Sequence, residues 1–171
     1  MKTILLLPAA LLAGCASMHM GSHASAVASL EPASGSSVRG SVTFTQDGNE
    51  VRVRTNVSGL PPNSEHGFHV HEKGDCSSGD GMSTGGHFNP NGKPHGPQSG
   101  EHHAGDMPSL VADAYGNASA SFELKGVTVG GGGPTDLAGH GLIVHKDPDD
   151  FKTQPTGNAG ARIACGVIRA A

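Results

Sequence analysis

Six histidines and one aspartate are spaced as metal ligands would be. His69 and His71 stand two apart, His87, His95 and His103 follow with Asp106 three beyond the last, and His145 comes late. Imidazole is a borderline ligand suited to zinc and copper, and a carboxylate completes many zinc sites. Seven candidates exceed the four positions of one tetrahedral ion, but they fit two adjacent ions that share a ligand. Histidine is over-used throughout, eleven against eleven Lys plus Arg and no Trp. His69-Val70-His71 reads as strand, where residues two apart share a face. Both imidazoles then point one way while Phe68 and Val70 point to the core, so the ions belong outside the sheet. His102 competes with His103 on position. His66 reads as structural, His140 as structural or exposed, and His19 and His23 as incidental.

The elements that must carry these residues are strands. Stretches 38–44 and 51–57 alternate apolar with polar residues around Asp47-Gly48-Asn49, a hairpin signal. Pro61-Pro62-Asn63 breaks the chain before a strand from His66 to His71. Further strands are predicted at 109–114, 118–124, 140–145 and 163–168, with Gly116-Asn117 as a turn, and no stretch of the mature chain has a helical period. With 27 Gly and 11 Pro punctuating short strands, the chain predicts an all-β sandwich or barrel. Two irregular stretches, about 72–107 and 146–162, hold most of the ligand candidates, and loops this long are usually functional. Gly130 to Gly133 precedes Pro134 and reads as a turn, since no Lys-Ser/Thr and helix follow to make a phosphate cradle.

The ends and the cysteines bear on the compartment. Lys2, an apolar run from Ile4 to Leu12, and small residues predict a secretory signal over 1–14. Leu12-Ala13-Gly14-Cys15 resembles a bacterial lipobox, which would make Cys15 the lipid-bearing first residue of a protein held on a membrane of the periplasm or cell envelope. Residues 15–36, rich in Ala, Ser, Gly and Met, then read as a flexible tether, and 37–171 as one domain. Losing Lys2 moves the formal charge from −4 to −5, and a mildly acidic chain without basic runs does not bind nucleic acid by charge. With Cys15 lipidated, Cys76 and Cys165 remain as an even pair, which reads as a disulfide in an oxidising compartment.

Four blocks give the pattern a family. Gly67-Phe68-His69-Val70-His71-Glu72, Gly86-His87-Phe88-Asn89-Pro90, His103-Ala104-Gly105-Asp106 and Gly157-Asn158-Ala159-Gly160-Ala161-Arg162-Ile163-Ala164-Cys165-Gly166 together resemble copper,zinc superoxide dismutase, in its bacterial periplasmic lipoprotein branch. The resemblance implies a Greek-key β-barrel or sandwich of about eight antiparallel strands with two long metal-site loops. It implies one copper on His69, His71, His87 and His145, and one zinc on His87, His95, His103 and Asp106, with His87 shared as an imidazolate. Asp149 matches the family's aspartate that links His69 and His95, and Arg162 its active-site arginine, beside a Cys76–Cys165 bridge. Superoxide is then the substrate, dismutated to oxygen and hydrogen peroxide, with Arg162 guiding the anion and His87 taking and returning a proton. Two other readings stand beside this one: a non-catalytic copper carrier on the same fold, and a zinc hydrolase with Glu72 or Glu101 as base. The oligomeric state, monomer or homodimer, stays open, as does haem binding.

Overall fold

The structure, a computed structural model, describes residues 23–171. The expected signal over 1–14 and the lipidation site Cys15 lie outside the described residues. Ten strands run in chain order: β1 (Ser25–Pro32), β2 (Arg39–Asp47), β3 (Glu50–Ser58), β4 (Glu65–His66), β5 (Phe68–His71), β6 (Leu110–Val111), β7 (Ala118–Lys125), β8 (Gly141–His145), β9 (Arg162–Val167) and β10 (Arg169–Ala170). The only helical element among the described residues is a single 3-10 turn, Met82–Thr84. One curled sheet has the antiparallel order β5-β8-β9-β1-β2-β3-β7, with β10 also on β1, and β4 pairs with β6 in a small second sheet. The chain crosses from β3 to β5, the far end of the order, before returning to β7 beside β3, which is Greek-key connectivity in a β-barrel.

β1 corrects the expected tether. Ala26, Ala28 and Leu30 alternate into the core while Ser25 to Leu30 pair with Thr45 to Gly40 of β2. Small Ala and Ser residues make this stretch look like linker, yet its apolar residues alternate with the period of a half-buried strand. The domain therefore begins by residue 25. His23, expected to be incidental, bonds the Gln46 carbonyl through Nδ1 at 2.8 Å. The β2–β3 hairpin closes on a two-residue turn between the paired Asp47 and Glu50, with Gly48 at φ 59°. The strand expected at 109–114 is only Leu110–Val111. Asp113 stops it, because its Oδ1 accepts the amides of Tyr115 and Asn117, an alternative to ladder pairing.

Phe68 and Val70 of β5 join Phe44, Val53, Leu142 and Val144 in the core, as the alternation requires. His69 and His71 point the other way and are nevertheless fully buried. The loop after β5 covers them by running back along β5. Glu72 and Lys73 donate to the Gly86 and Thr84 carbonyls, Phe88 donates to Val70, and Val70 donates to Gly105. Bridge pairs set His87 opposite His71 and Asp106 opposite His69. Gly105 permits this, since a Cβ there would collide with the Val70 carbonyl.

Candidate metal centre

Backbone pairing thus gathers candidate ligands separated widely in sequence. Two groups form, His69, His71, His87 and His145, and His87, His95, His103 and Asp106, each with donor atoms within 4.8 Å of one another. His87 belongs to both. Its ring centroid lies 4.0 Å from that of His69 and 5.5 Å from that of His103. Its Nδ1 faces Asp106 Oδ1 at 2.9 Å and His103 Nδ1 at 3.4 Å. His95 Nδ1 sits 3.0 Å from the same carboxylate oxygen. In the other group, Nε2 of His71 and of His145 lie 3.3 Å apart.

The hydrogen bonds on the far sides of the rings explain which nitrogens are left to coordinate. His71 Nδ1 donates to the Gly85 carbonyl and His145 Nδ1 to the Gly160 carbonyl, at 3.0 and 3.2 Å. Asp149 accepts from His69 Nε2 at 2.7 Å on Oδ2 and from His95 Nε2 at 2.9 Å on Oδ1. One carboxylate therefore fixes a ring in each group, the usual partner of a ligating imidazole. Buried polar atoms are nearly always bonded. Among the described residues, the buried side-chain polar atoms without a well-formed hydrogen bond include His69 Nδ1, His87 Nε2 and His95 Nδ1, the last in only an ion-pair contact with Asp106, and all three are turned into the two clusters. Metal ions would satisfy them, and imidazole with carboxylate suits copper and zinc.

Burial sets the protonation of these groups. It pushes His71 far down, helped by the charges of His87 and Arg162, and takes His145 down to about 3. Burial also lowers His87 to about 4, although Asp106 opposes it. These imidazoles are neutral near pH 7 and ready to coordinate. At His95 burial again pulls downward, but the Asp106 and Asp149 carboxylates, 3.0 and 2.9 Å from its two ring nitrogens, prevail and raise it to about 9. Burial works against ionisation of Asp106 and Asp149, yet the histidine bonds hold both below the ordinary carboxylate range.

The supporting residues include several that the sequence did not announce. Gln154 clamps the backbone of His95 from both sides, its Oε1 accepting the amide at 2.8 Å and its Nε2 donating to the carbonyl at 2.9 Å. Gly157 has φ 65°, and a Cβ there would fall on the Asp149 carboxylate and the His95 ring. A Gln at a loop position carries no periodic signal, so the sequence alone did not point to the Gln154 clamp. His102 bonds the His103 carbonyl at 2.7 Å and belongs to neither group. His66 donates to the His145 carbonyl and His140 to the Glu72 carbonyl, each at 2.8 Å. Cys76 and Cys165 are joined in a disulfide, tying the loop after β5 to β9. Arg162, also on β9, gives Nη1 to the Gly81 carbonyl and Thr84 Oγ1 at 2.9 and 2.7 Å, and Nη2 to the Gly85 carbonyl at 2.7 Å. Arg162 and His145 line one side of a surface cavity of about 290 Å³, with Met82, Thr156 and Gly160 among its other walls.

The family described as copper/zinc superoxide dismutase matches residues 38–168. The chain belongs to the copper/zinc superoxide dismutase family. It is thereby an oxidoreductase of superoxide with copper and zinc as cofactors. Among relatives, "Superoxide dismutase [Cu-Zn] 2" of Aquifex aeolicus is 44% identical over 77% of this chain and 80% of that one. "Superoxide dismutase [Cu-Zn]" of Paramecium bursaria Chlorella virus 1 is 39% identical over 89% and 81%. The crystal structure of a SOD-like protein from Bacillus subtilis superposes with a TM-score of 0.74 at 34% identity, covering 82% of this chain and 96% of that one.

Proposed function

We propose that the chain dismutates superoxide at copper held by His69, His71, His87 and His145, beside zinc held by His87, His95, His103 and Asp106. The observation that carries this assignment is His87, which turns Nδ1 to one donor group and an unbonded, buried Nε2 to the other. When bound, copper supplies one-electron redox cycling and zinc a fixed positive charge without redox chemistry. The chain's residues supply the rest. Arg162 draws the anion toward the donor group through charge and N–H bonds. His87 Nε2 takes a proton and hands it to the product, so that two superoxides and two protons become oxygen and hydrogen peroxide. Asp149 keeps the His69 and His95 rings from rotating. The zinc donor set already fills four positions, which leaves no open position for a hydrolase water. Glu101 is occupied by Lys93 at 2.7 Å and Glu72 by the Gly86 amide at 3.3 Å. A copper carrier has no need of a buried bridging imidazole. Metal content by mass spectrometry, with superoxide consumption on the same sample, tests the reading. One copper and one zinc per chain with fast turnover is expected. Full metal loading without turnover would favour the carrier.

We further propose that the enzyme acts in the cell envelope, anchored through lipid on Cys15, where it removes superoxide. Support comes from the Leu12-Ala13-Gly14-Cys15 sequence and from a disulfide that suits an oxidising compartment. Cys15→Ser should release active enzyme from the membrane fraction. Anchoring that survives the change would refute the lipid.

A further inference from the structure

We infer that Thr84 is a positioning residue for Arg162, its buried hydroxyl setting which N–H groups the guanidinium presents to a small anion. The inference rests on the reading of Arg162 as the anion guide. A guanidinium has five N–H donors and no acceptor. Three are committed, two from Nη1 to Gly81 O and Thr84 Oγ1 and one from Nη2 to Gly85 O. Two remain, one on Nε and one on Nη2, which suits a two-oxygen anion. Because arginine can only donate, Thr84 Oγ1 must accept, and its own hydrogen is directed to the Gly81 carbonyl at 2.9 Å. The hydroxyl is thus locked at both ends.

Its direction is fixed by packing as well. Thr84 is fully buried, and its methyl is seated over Gly141 at the start of β8, where an added Cβ would meet Thr84 Cγ2 at 2.7 Å. A β-branched side chain seated this way has little χ1 freedom. Arg162 stands on β9 in contact with Gly81, where an added Cβ would lie 3.3 Å from Arg162 Cβ. Both Arg162 Nη2 and His71 Nδ1 donate to the Gly85 carbonyl, so segment 81–85 aligns the guanidinium with a ring of the first donor group. Without the Thr84 acceptor, one Nη1 hydrogen is orphaned and the guanidinium can rotate toward solvent.

The test compares Thr84→Val, Thr84→Ser, Arg162→Ala and the Thr84→Val/Arg162→Ala pair, as metal-loaded proteins matched in copper and zinc content. Azide, a small anion, is titrated through the copper(II) absorption band, beside kcat/KM for superoxide and the melting temperature of the metal-free forms. Valine keeps the shape and removes the acceptor. Thr84→Val should weaken azide and lower kcat/KM by about three- to tenfold, the range of one hydrogen bond, with melting unchanged. Thr84→Ser should restore both to within about twofold. In the Arg162→Ala background, Thr84→Val should change neither quantity further. Wild-type azide affinity in Thr84→Val, or an equal loss with and without Arg162, would overturn the positioning role while leaving Arg162 as guide. Wild-type azide affinity in Arg162→Ala itself would instead remove the anion-guide reading.

Discussion

At the residue scale, one carboxylate and one charged imidazole govern how the site holds metal. Asp149 bonds His69 and His95 at once, so Asp149→Asn leaves one ring without its acceptor and turns an amide N–H toward another. Loss of such a partner costs about 10–100-fold in metal affinity, and here both metals should weaken together, which parallel chelator competitions for copper and zinc would measure. An effect on one metal alone would show that the bridge is not shared in function. His95 gives a pH test. With its folded value raised to about 9, the ring of the metal-free protein is charged at pH 7, and zinc must displace that proton. Apparent zinc affinity should therefore rise about tenfold per pH unit below pH 9 and flatten above it. The same shift links to stability. The charged ring between Asp106 and Asp149 stabilises the metal-free fold fully below the unfolded value of about 6.5, and that stabilisation is lost as pH rises through the folded value. Melting of the chelated protein at pH 6.5 and 9.5 checks the sign, and a higher melting temperature at pH 9.5 would contradict it.

At the scale of elements, the site is built by loops that borrow order from β5 and from each other. The loop after β5 has little apolar content, and its attachments are the ladder along β5, the ligands and the Cys76–Cys165 bridge. A cross-link spanning 89 positions is worth about 4–5 kcal/mol in the chain-entropy model. Reductant with chelator should lower the melting temperature strongly and open 72–107 to protease, and either treatment alone should do less. Gln154 joins the second loop to the first through the His95 backbone, so Gln154→Ala should weaken zinc by about three- to tenfold, as two half-buried hydrogen bonds allow, with copper little changed. The seven candidate ligands stand out in the sequence because histidine is over-used and its spacing on a strand is rigid, and the fold brings those seven into two groups. The clamp was not legible in the sequence, because Gln154 acts on backbone atoms brought near only by the fold. Nor was the role of Asp136, which accepts the Gly130, Gly132 and Ala138 amides and so organises the glycine run that the sequence marks merely as a turn. The β1 strand was misjudged for the opposite reason. Its local composition is linker-like, and only pairing with β2, β9 and β10 makes it central.

For the whole molecule, charge presents the sharpest problem. Superoxide is an anion and the chain carries a formal charge of −4, so the net field repels the substrate. Attraction must be local, from a cation whose field is focused by low-dielectric walls. The cavity that reaches His145 is lined by Arg162 and otherwise by uncharged residues, which fits that need. Of the other loop cations, Lys93 is spent on Glu101, and Lys146 lines a different cavity with His66 and Ile163. Lys73 and Lys152 are exposed and remain the further candidates. In the wild type the rate should fall as salt rises, because screening cuts attraction beyond about 10 Å at 0.1 M. Arg162→Ala should lose about one to two orders of magnitude in rate, a few kcal/mol of local attraction, and Arg162→Glu more. The salt slope separates steering from the structural part of the loss, since Arg162 also braces Gly81, Thr84 and Gly85. If Arg162 steers, its removal should flatten or reverse the slope, as the residual field is that of a net anion. If it only braces the loop, the rate should drop while the slope stays as it was. Lys73→Ala, which keeps the backbone bond from the residue 73 amide to the Thr84 carbonyl and disturbs no Arg162 contact, should alter the slope modestly and leave metal content and melting unchanged.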